Sequence, residues 1–289
     1  VGRARHGEIL AFLEQPLLGA QEGDAAGRVL DPEGTARGVG EQALGQRVGR
    51  GRGQRDPQPG GHDGKGQARI KTVADADAAW TAIGECPAIL EGMVHFDHEF
   101  SLIVARDQKG SVSFWDTPEN VHKDGILATS TIPAADIVRQ QVPAARALAR
   151  RIAERFDYVG VFTIEFFASA DGPVFNELAP RVHNSGHWTI EGATTSQFEN
   201  HIRAICNLPL GSPDLIAPAA VMANLLGKRI GSGVPDTVVG LMRHGRVALH
   251  LYGKATSRVG RKMGHLTALG ASVTEALDIV KAAEADLLW

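Results

Sequence analysis

Apolar and polar positions fall into regular patterns only from Gln67 onward. Short apolar runs set off by turn residues predict strands over residues 68–73, 88–94, 99–106, 111–116 and 126–131, with turns at 107–110 and 123–125. Apolar residues at helical spacing (Ile137, Val142, Ala145, Leu148, Ile152) predict a long helix over 134–156, whose arginine-rich outer side reads as solvated surface. A shorter helix is expected over 75–83, capped by Asp75, and another from Ser196, where Ser-Gln-Phe-Glu has capping-box spacing. Runs at 161–168 and 173–178 flank Ala170-Asp171-Gly172 and predict a β-hairpin. Beyond Pro218 the pattern gives strands over 220–226, 247–252 and 265–269, a basic loop over 253–264 and a final helix over 274–285. This order describes an α+β fold, with residues 61–215 as one domain and 216–289 as a smaller, β-rich one.

Residues 1–61 are different in kind. They hold 14 of the 34 glycines and eight arginines but no lysine, the first being Lys65. With too few clustered apolar residues to define a buried face, residues 1–60 are expected to be largely irregular, apart from a short helix over 9–18. Such an Arg/Gly tract is the composition of a non-specific RNA-binding segment. It is also the text that GC-rich coding DNA yields when read out of frame, and that reading is the favoured one. Because the chain opens on Val1 with no charged-then-apolar leader, the expectation is a truncated or frameshifted start whose frame is restored near Gly60.

At 289 residues and 43% hydrophobic, the chain is long enough for one large or two medium domains with their own cores. A formal net charge of -3 supplies no global basic field, so no nucleic-acid partner is expected. No membrane partner is expected either, since no apolar run approaches the roughly 18 residues of a membrane span. Cys86 and Cys206 cannot build a multi-bridge framework. They are expected as small buried hydrophobes in a reducing compartment, which makes the cytoplasm the expected location.

Candidate chemistry concentrates at the hairpin. Centring it on Asp171 sets Glu165 across from Glu177, where like charges repel unless a cation lies between them. All-oxygen carboxylate sites suit Mg²⁺, which keeps waters and shares its shell with substrate phosphates. Glu165 and Glu177 are therefore the expected metal ligands, with the Asn176 amide beside them. The alternative of two solvated glutamates fits poorly with Phe162, Ile164, Phe166, Phe167, Val174 and Phe175 in the same strands. After Pro180, a short loop packs Arg181, His183, Asn184, Ser185 and His187 together. Arginine offers a planar fork for carboxylate or phosphate, and Asn and His can bond a small heterocycle, so the loop suits an anionic ligand. Zinc at His183 and His187 is disfavoured, because Asn184 and Gly186 argue against a helix and no glutamate stands between the histidines.

Five motifs in order then carry a resemblance: Gly-His-Asp-Gly-Lys-Gly-Gln at 61–67, Glu-Gly-Met-Val-His-Phe-Asp-His-Glu at 91–99, Glu-Asn-Val-His-Lys-Asp-Gly-Ile-Leu at 119–127, Asn-Glu-Leu-Ala-Pro-Arg-Val-His-Asn-Ser-Gly-His at 176–187, and Gly-Arg-Lys-Met-Gly-His at 260–265. From about Gly61 onward the chain resembles the 5-(carboxyamino)imidazole ribonucleotide synthases, ATP-grasp ligases of purine biosynthesis. The resemblance implies an ATP-grasp domain with a small C-terminal β-rich domain, a homodimer, and ATP and Mg²⁺ as cofactors. It also implies aminoimidazole ribonucleotide and bicarbonate as substrates. Gly61, His62, Asp63, Gly64, Lys65, Gly66 and Gln67 would form a lid whose N–H groups surround the ATP phosphates. Glu91, Gly92, Met93 and Val94 would make the adenine hinge, Glu99 would hold the ribose, and His122 would contact the nucleotide. Asn176 and Glu177 would join Glu165 at the Mg-ATP site. Arg181, His183 and Asn184 would be both catalytic and substrate-binding, with Lys254, Arg261 and Lys262 as a basic cluster holding the ribonucleotide phosphate. Phosphoryl transfer from ATP to bicarbonate would give carboxyphosphate, whose carboxyl group or released CO₂ is captured by the ribonucleotide's amine beneath the closed lid.

The chain departs from that family at its start. The family's Rossmann-like amino-terminal domain is absent or degenerate here, and Val-Gly-Arg-Gly-Arg-Gly-Gln-Arg at 48–55 stands where a strand should carry a phosphate-clamping lysine. His62 replaces the usual lid tyrosine. Two other functions fit parts of the text: another ATP-grasp ligase, such as a formate-dependent glycinamide ribonucleotide transformylase or a biotin carboxylase, and a catalytically impaired nucleotide-binding remnant. The Arg-Val-His-Asn-Ser-Gly-His loop favours the carboxylating ligase, whereas the missing lysine keeps the remnant open.

Overall fold

The computed structural model describes residues 28–29, 46–50, 67–85 and 88–288. The lid from Gly61 to Gly66, the expected helix over 9–18 and Cys86 lie outside the described residues. The chain forms two compact units, one ending at His95 and the other beginning at Phe96.

In the first unit, β1 (Arg28–Val29), β2 (Gln46–Arg50), β3 (Gln67–Ile70) and β4 (Ala88–Glu91) form an antiparallel sheet in the order β1-β4-β2-β3. The presence of β2 corrects the expectation of irregular chain where the strand seemed lost. Its ladders to β3 and β4 are main-chain hydrogen bonds, so tertiary pairing overrides the weak strand propensity of a Gly/Arg text. Helix α1 (Ala76–Ala82) follows a short 3₁₀ turn. Asp75 does not cap α1 with its side chain; its carboxylate reaches back to the N–H groups of Lys71 and Thr72 and closes the preceding turn instead. Ile83 and Leu90 are buried with Ala68, Ile70 and Trp80 packed against them.

The second unit is built on one antiparallel sheet of nine strands. They are β5 (His98–Arg106), β6 (Val112–Phe114), β7 (Glu119–Lys123), β8 (Ile126–Ile132), β9 (Gly160–Ser169), β10 (Gly172–Ala179), β11 (Ala219–Leu226), β13 (Val247–Leu251) and β15 (Lys262–Gly270). Their order is β10-β9-β5-β7-β8-β11-β15-β13, with β6 on β5; β12 (Gly231–Ser232) and β14 (Thr256–Ser257) pair separately. The pairing of β8 with β11 carries the C-terminal strands into the same sheet. The helices are α2 (Asp136–Arg155), α3 (Thr189–Gly192), α4 (Gln197–Ile205), α5 (Val239–Met242) and α6 (Val273–Ala285).

Strand β7 was invisible in Glu-Asn-Val-His-Lys because its conformation is set by partners on both sides and not by an apolar rhythm. Strand β15 starts at Lys262, shortening the expected basic loop. Helix α2 buries Val138, Ala145, Ala149, Ile152 and Ala153, and its outer side is not simply solvated: Arg146 and Arg150 lie 5.2 and 4.9 Å over the Phe114 ring. Cys206 is exposed at the end of α4, against the expectation of burial, because the helix ends there and turns the residue outward. Among the described residues no helix is long and apolar enough to cross a membrane.

Strict alternation along these strands gives the sheet two unlike faces. One is aromatic and aliphatic, with Phe100, Leu102, Val104, Phe162, Ile164 and Phe166 continuing into Val221, Ala223, Leu266 and Ala268 beneath α6. The register sets Glu165, Ser101, Asn120, Ser130, Asn224 and His265 on the other face. There they adjoin a core of Ile103, Trp115, Val161, Trp188 and Met222. Trp115 is fully buried and donates from Nε1 to the Thr195 carbonyl, 2.9 Å away, tying the segment before α4 to the sheet. Trp115→Ala should therefore destabilise the protein by about 3–5 kcal/mol, and Trp115→Phe by distinctly less. Equilibrium urea unfolding measures both, and equal losses would show that ring volume is not what this position contributes.

Candidate active site

The site begins with the hairpin. Near the turn Gly172 pairs with Ser169 and Phe175 with Phe166, one step away from the register expected for a turn centred on Asp171. A bulge at Asn176 then restores that register, so that Glu177 pairs with Glu165 as expected. Two residues apart on one strand, Phe175 and Glu177 would share a face; the extra residue separates them. Phe175 meets Phe166 edge-on at 6.4 Å on the apolar face, and Glu177 joins Glu165 on the polar one. Asn176 is the inserted residue.

Burial and the neighbouring Glu177 push the Glu165 carboxyl up to about 7 from its ordinary 4.5; Glu99 adds to this, while His122 and Lys262 oppose it. This is the signature of two acids held together without enough positive charge, and it suits a hard divalent cation. Among the described residues no group of three or more His, Cys, Asp or Glu could hold a metal by itself. Two opposed carboxylates are a donor set that fits an ion whose shell is completed by water and phosphate, which is how Mg²⁺ binds.

Around the pair stand the other expected residues. His122 Nδ1 on β7 lies 2.9 Å from Glu99 Oε2 on β5, without the alignment of a hydrogen bond. His183 Nε2 lies 3.5 Å from Glu165 Oε1, while its Nδ1 meets Ser185 Oγ at 2.8 Å. Burial, with Arg181, Lys262, His187 and His122 nearby, lowers His183 to about 3, so its imidazole is neutral across the physiological range. His187, lowered to about 4 by burial and Lys262, is neutral too. Arg181 is exposed at the mouth of the loop and donates to its neighbour's carbonyl, Val182 O.

The basic trio divides. Lys262 is lowered by burial and by Arg181 and Lys254, while the charges of Glu165 and Glu177 counter this. Lys254 points Nζ at the Lys262 carbonyl and lies over Tyr252, and Arg261 donates to the carbonyl and hydroxyl of Thr256. Gln67 starts β3 and Glu91 ends β4, with Gly92, Met93 and Val94 outside regular secondary structure after it, all within the first unit.

Several residues here escaped sequence reasoning. Asn184 and Asn224 exchange amide hydrogen bonds at 2.9 and 2.6 Å, and Asn224 also donates to the Leu127 carbonyl at 2.8 Å. Asn224, in the middle of an apolar strand, was the available signal. His265 is stacked on His250 at 4.5 Å, and its Nδ1 lies within hydrogen-bonding distance of Tyr252 Oη, at 3.0 Å. Gln197, read only as part of a capping box, reaches the histidine loop.

Comparison with known proteins places this geometry. The ATP-grasp domain model matches residues 56–198, and the phosphoribosylaminoimidazole carboxylase C-terminal domain model matches 220–278. An N5-carboxyaminoimidazole ribonucleotide synthase of Brucella melitensis is 50% identical over 210 residues, covering 72% of this chain and 56% of that protein. The solved structure of the carboxyaminoimidazole ribonucleotide synthase of Aspergillus clavatus complexed with ATP superposes with a TM-score of 0.72 at 31% identity, over 90% of this chain and 68% of that one. This chain belongs to the N5-carboxyaminoimidazole ribonucleotide synthase family. A second Aspergillus clavatus structure, in complex with ADP and 5-aminoimidazole ribonucleotide, matches at 32% identity and a TM-score of 0.67, over 75% of this chain and 58% of that one. The chain spans just over half the length of the curated synthases it matches. The family match accounts for both halves of the second unit: the ATP-grasp strands carry the acids, and the synthase C-terminal domain supplies Lys262 and Asn224.

The acid pair has a consequence for stability. A carboxyl whose folded value, about 7, exceeds its unfolded 4.5 favours the folded state below pH 4.5 and loses that contribution as pH rises through 7. Glu165→Gln is therefore expected to stabilise the metal-free protein at pH 8 by about 2–3 kcal/mol and to make no difference below pH 4.5. Denaturant midpoints at the two pH values decide; equal effects at both would show that the pair is not strained.

Proposed function

We propose that the chain carries out the ATP- and bicarbonate-dependent carboxylation of the 5-aminoimidazole ribonucleotide amine. One observation carries the reading: the opposed acids Glu165 and Glu177 share a sheet face with the His183–Asn184 loop, so a phosphate-bound cation and a second, heterocyclic ligand would be neighbours. The ADP and 5-aminoimidazole ribonucleotide of the Aspergillus clavatus complex support this choice of ligands.

In this reading Glu165 and Glu177, with Asn176 at the bulge, hold Mg²⁺. When bound, the ion neutralises the charge of the transferring phosphoryl group. Glu99, braced by His122, receives the nucleotide's ribose. Lys262, whose charge is coupled to both acids, compensates the charge of the phosphoryl group that passes from ATP to bicarbonate. Neutral His183 orients the acceptor by hydrogen bonding and is not a general acid at pH 7. Asn184, fixed by Asn224, presents its amide beside it. Arg181, Lys254 and Arg261 bring positive charge for the ribonucleotide phosphate. By the family's motifs, residues 61–67 are proposed as the ATP lid and Glu91, Gly92, Met93 and Val94 as the adenine hinge. The proposal extends to a cytoplasmic homodimer without nucleic-acid or membrane partners, and the apolar side that α4 exposes through Phe198, Ile202 and Ile205 supports the dimer.

Phosphate release from ATP tests the reading. Turnover should require Mg²⁺ and rise on adding aminoimidazole ribonucleotide together with bicarbonate; intact ATP binding with no such stimulation would leave a nucleotide-binding remnant. Glu177→Gln should lower stimulated turnover by at least about 100-fold, and unchanged turnover would refute its metal role.

A further inference from the structure

The loop that bears Arg181, His183 and Asn184 has little secondary structure of its own, with one 3₁₀ turn over Asn184–Gly186. It is nonetheless buried at His183, Ser185 and Gly186. What holds it is a side chain from α4. Gln197, fully buried, accepts from the His183 N–H through Oε1 at 2.9 Å and donates from Nε2 to the His183 carbonyl at 2.7 Å. One amide thus satisfies both main-chain groups of one residue, as a neighbouring strand would. The two bonds also fix which end of the amide is which, since the reverse orientation would set oxygen on oxygen and nitrogen on nitrogen. The remaining Nε2 proton has one ring nitrogen in reach, His187 Nδ1 at 3.2 Å. Nδ1 must then accept, which leaves the His187 proton on Nε2.

Gly186 and Thr189 complete the arrangement. A β-carbon at Gly186 would sit 2.6 Å from Gln197 Oε1 and 2.8 Å from its Cδ, so the amide lies flat on a position that only glycine leaves open. Thr189 Oγ1 accepts from the Gln197 N–H at 3.0 Å and donates to the Gly186 carbonyl at 2.7 Å, closing the loop's far end on the start of the same helix.

We propose that Gln197 is a positioning residue for the carboxylation site: its amide sets the main chain of His183 and the tautomer of His187, and so aims the loop that meets the second substrate. The inference deepens the proposed function and rests on it for its kinetic part, but the clamp itself is readable without turnover. In imidazole ¹H–¹⁵N correlation spectra of the unsubstituted chain, His187 should carry its proton on Nε2. In Gln197→Glu, whose carboxylate has no donor for His187, the proton should move to Nδ1. A His187 protonated at Nδ1 in the unsubstituted chain, or no change in the variant, would overturn the clamp. Kinetically, Gln197→Glu and Gly186→Ala should each lower kcat for ribonucleotide-stimulated turnover by about 10- to 100-fold, as misplacement of a reacting group does, with KM for ATP within about two-fold. A lower melting temperature with both constants unchanged would make Gln197 structural only. If the unsubstituted chain shows no stimulated turnover, the functional reading fails and the tautomer measurement alone still decides the clamp.

Discussion

The site depends on a like-charge opposition. Glu165 and Glu177 face each other on adjacent strands of a hairpin that otherwise buries aromatic rings, and the repulsion in such a pair is relieved by a retained proton or by a cation. The bulge at Asn176 makes the opposition compatible with the core, because it lets Phe175 pack against Phe166 below the sheet while Glu177 stands above it. Lys262, arriving from a strand distant in sequence, and His122 answer part of the charge, and the remaining deficit is what a bound cation would fill.

The face that carries the acids is polar across much of the sheet, and several of its groups bond one another. Asn120 donates to Ser101 at 2.5 Å and accepts from Ser130 at 2.8 Å, and Asn224 locks Asn184. Polar side chains in a sheet interior are costly unless paired, and once paired they resist rearrangement. These bonds hold parts of the floor of the site in place, and the histidine loop is held for a related reason: the main chain of His183 is satisfied by a glutamine from a following helix. Preorganisation of this kind suits a reaction in which the protein contributes mainly position and charge. It also agrees with membership of a family of which one solved member, that of Aspergillus clavatus, holds ADP and an aminoimidazole ribonucleotide together.

Much of this was legible in the residues. The alternating runs around Asp171 identified the hairpin and paired the two glutamates, because period-two patterning and a turn dipeptide leave few registers. The pairing nevertheless holds by way of a bulge that no local rule announced. Strand β7 and the start of β15 carry charged residues without apolar rhythm, and their conformation comes from neighbours on both sides. The same holds for β2, whose Gly/Arg text reads as irregular while its backbone completes a ladder.

The sequence by itself determined the α+β class, the family through its ordered motifs, and the residue types available for chemistry, since these follow from local patterning and side-chain identity. Tertiary structure alone decided which of those residues act on one another: that Lys262 answers the charge of the acids while Arg261 secures Thr256, and that Gln197 governs the histidine loop. The physical reason is range. Patterning records which face a residue takes within its own element, whereas charge compensation and buried hydrogen bonds link positions far apart in the chain, and only the folded sheet brings those within bonding distance.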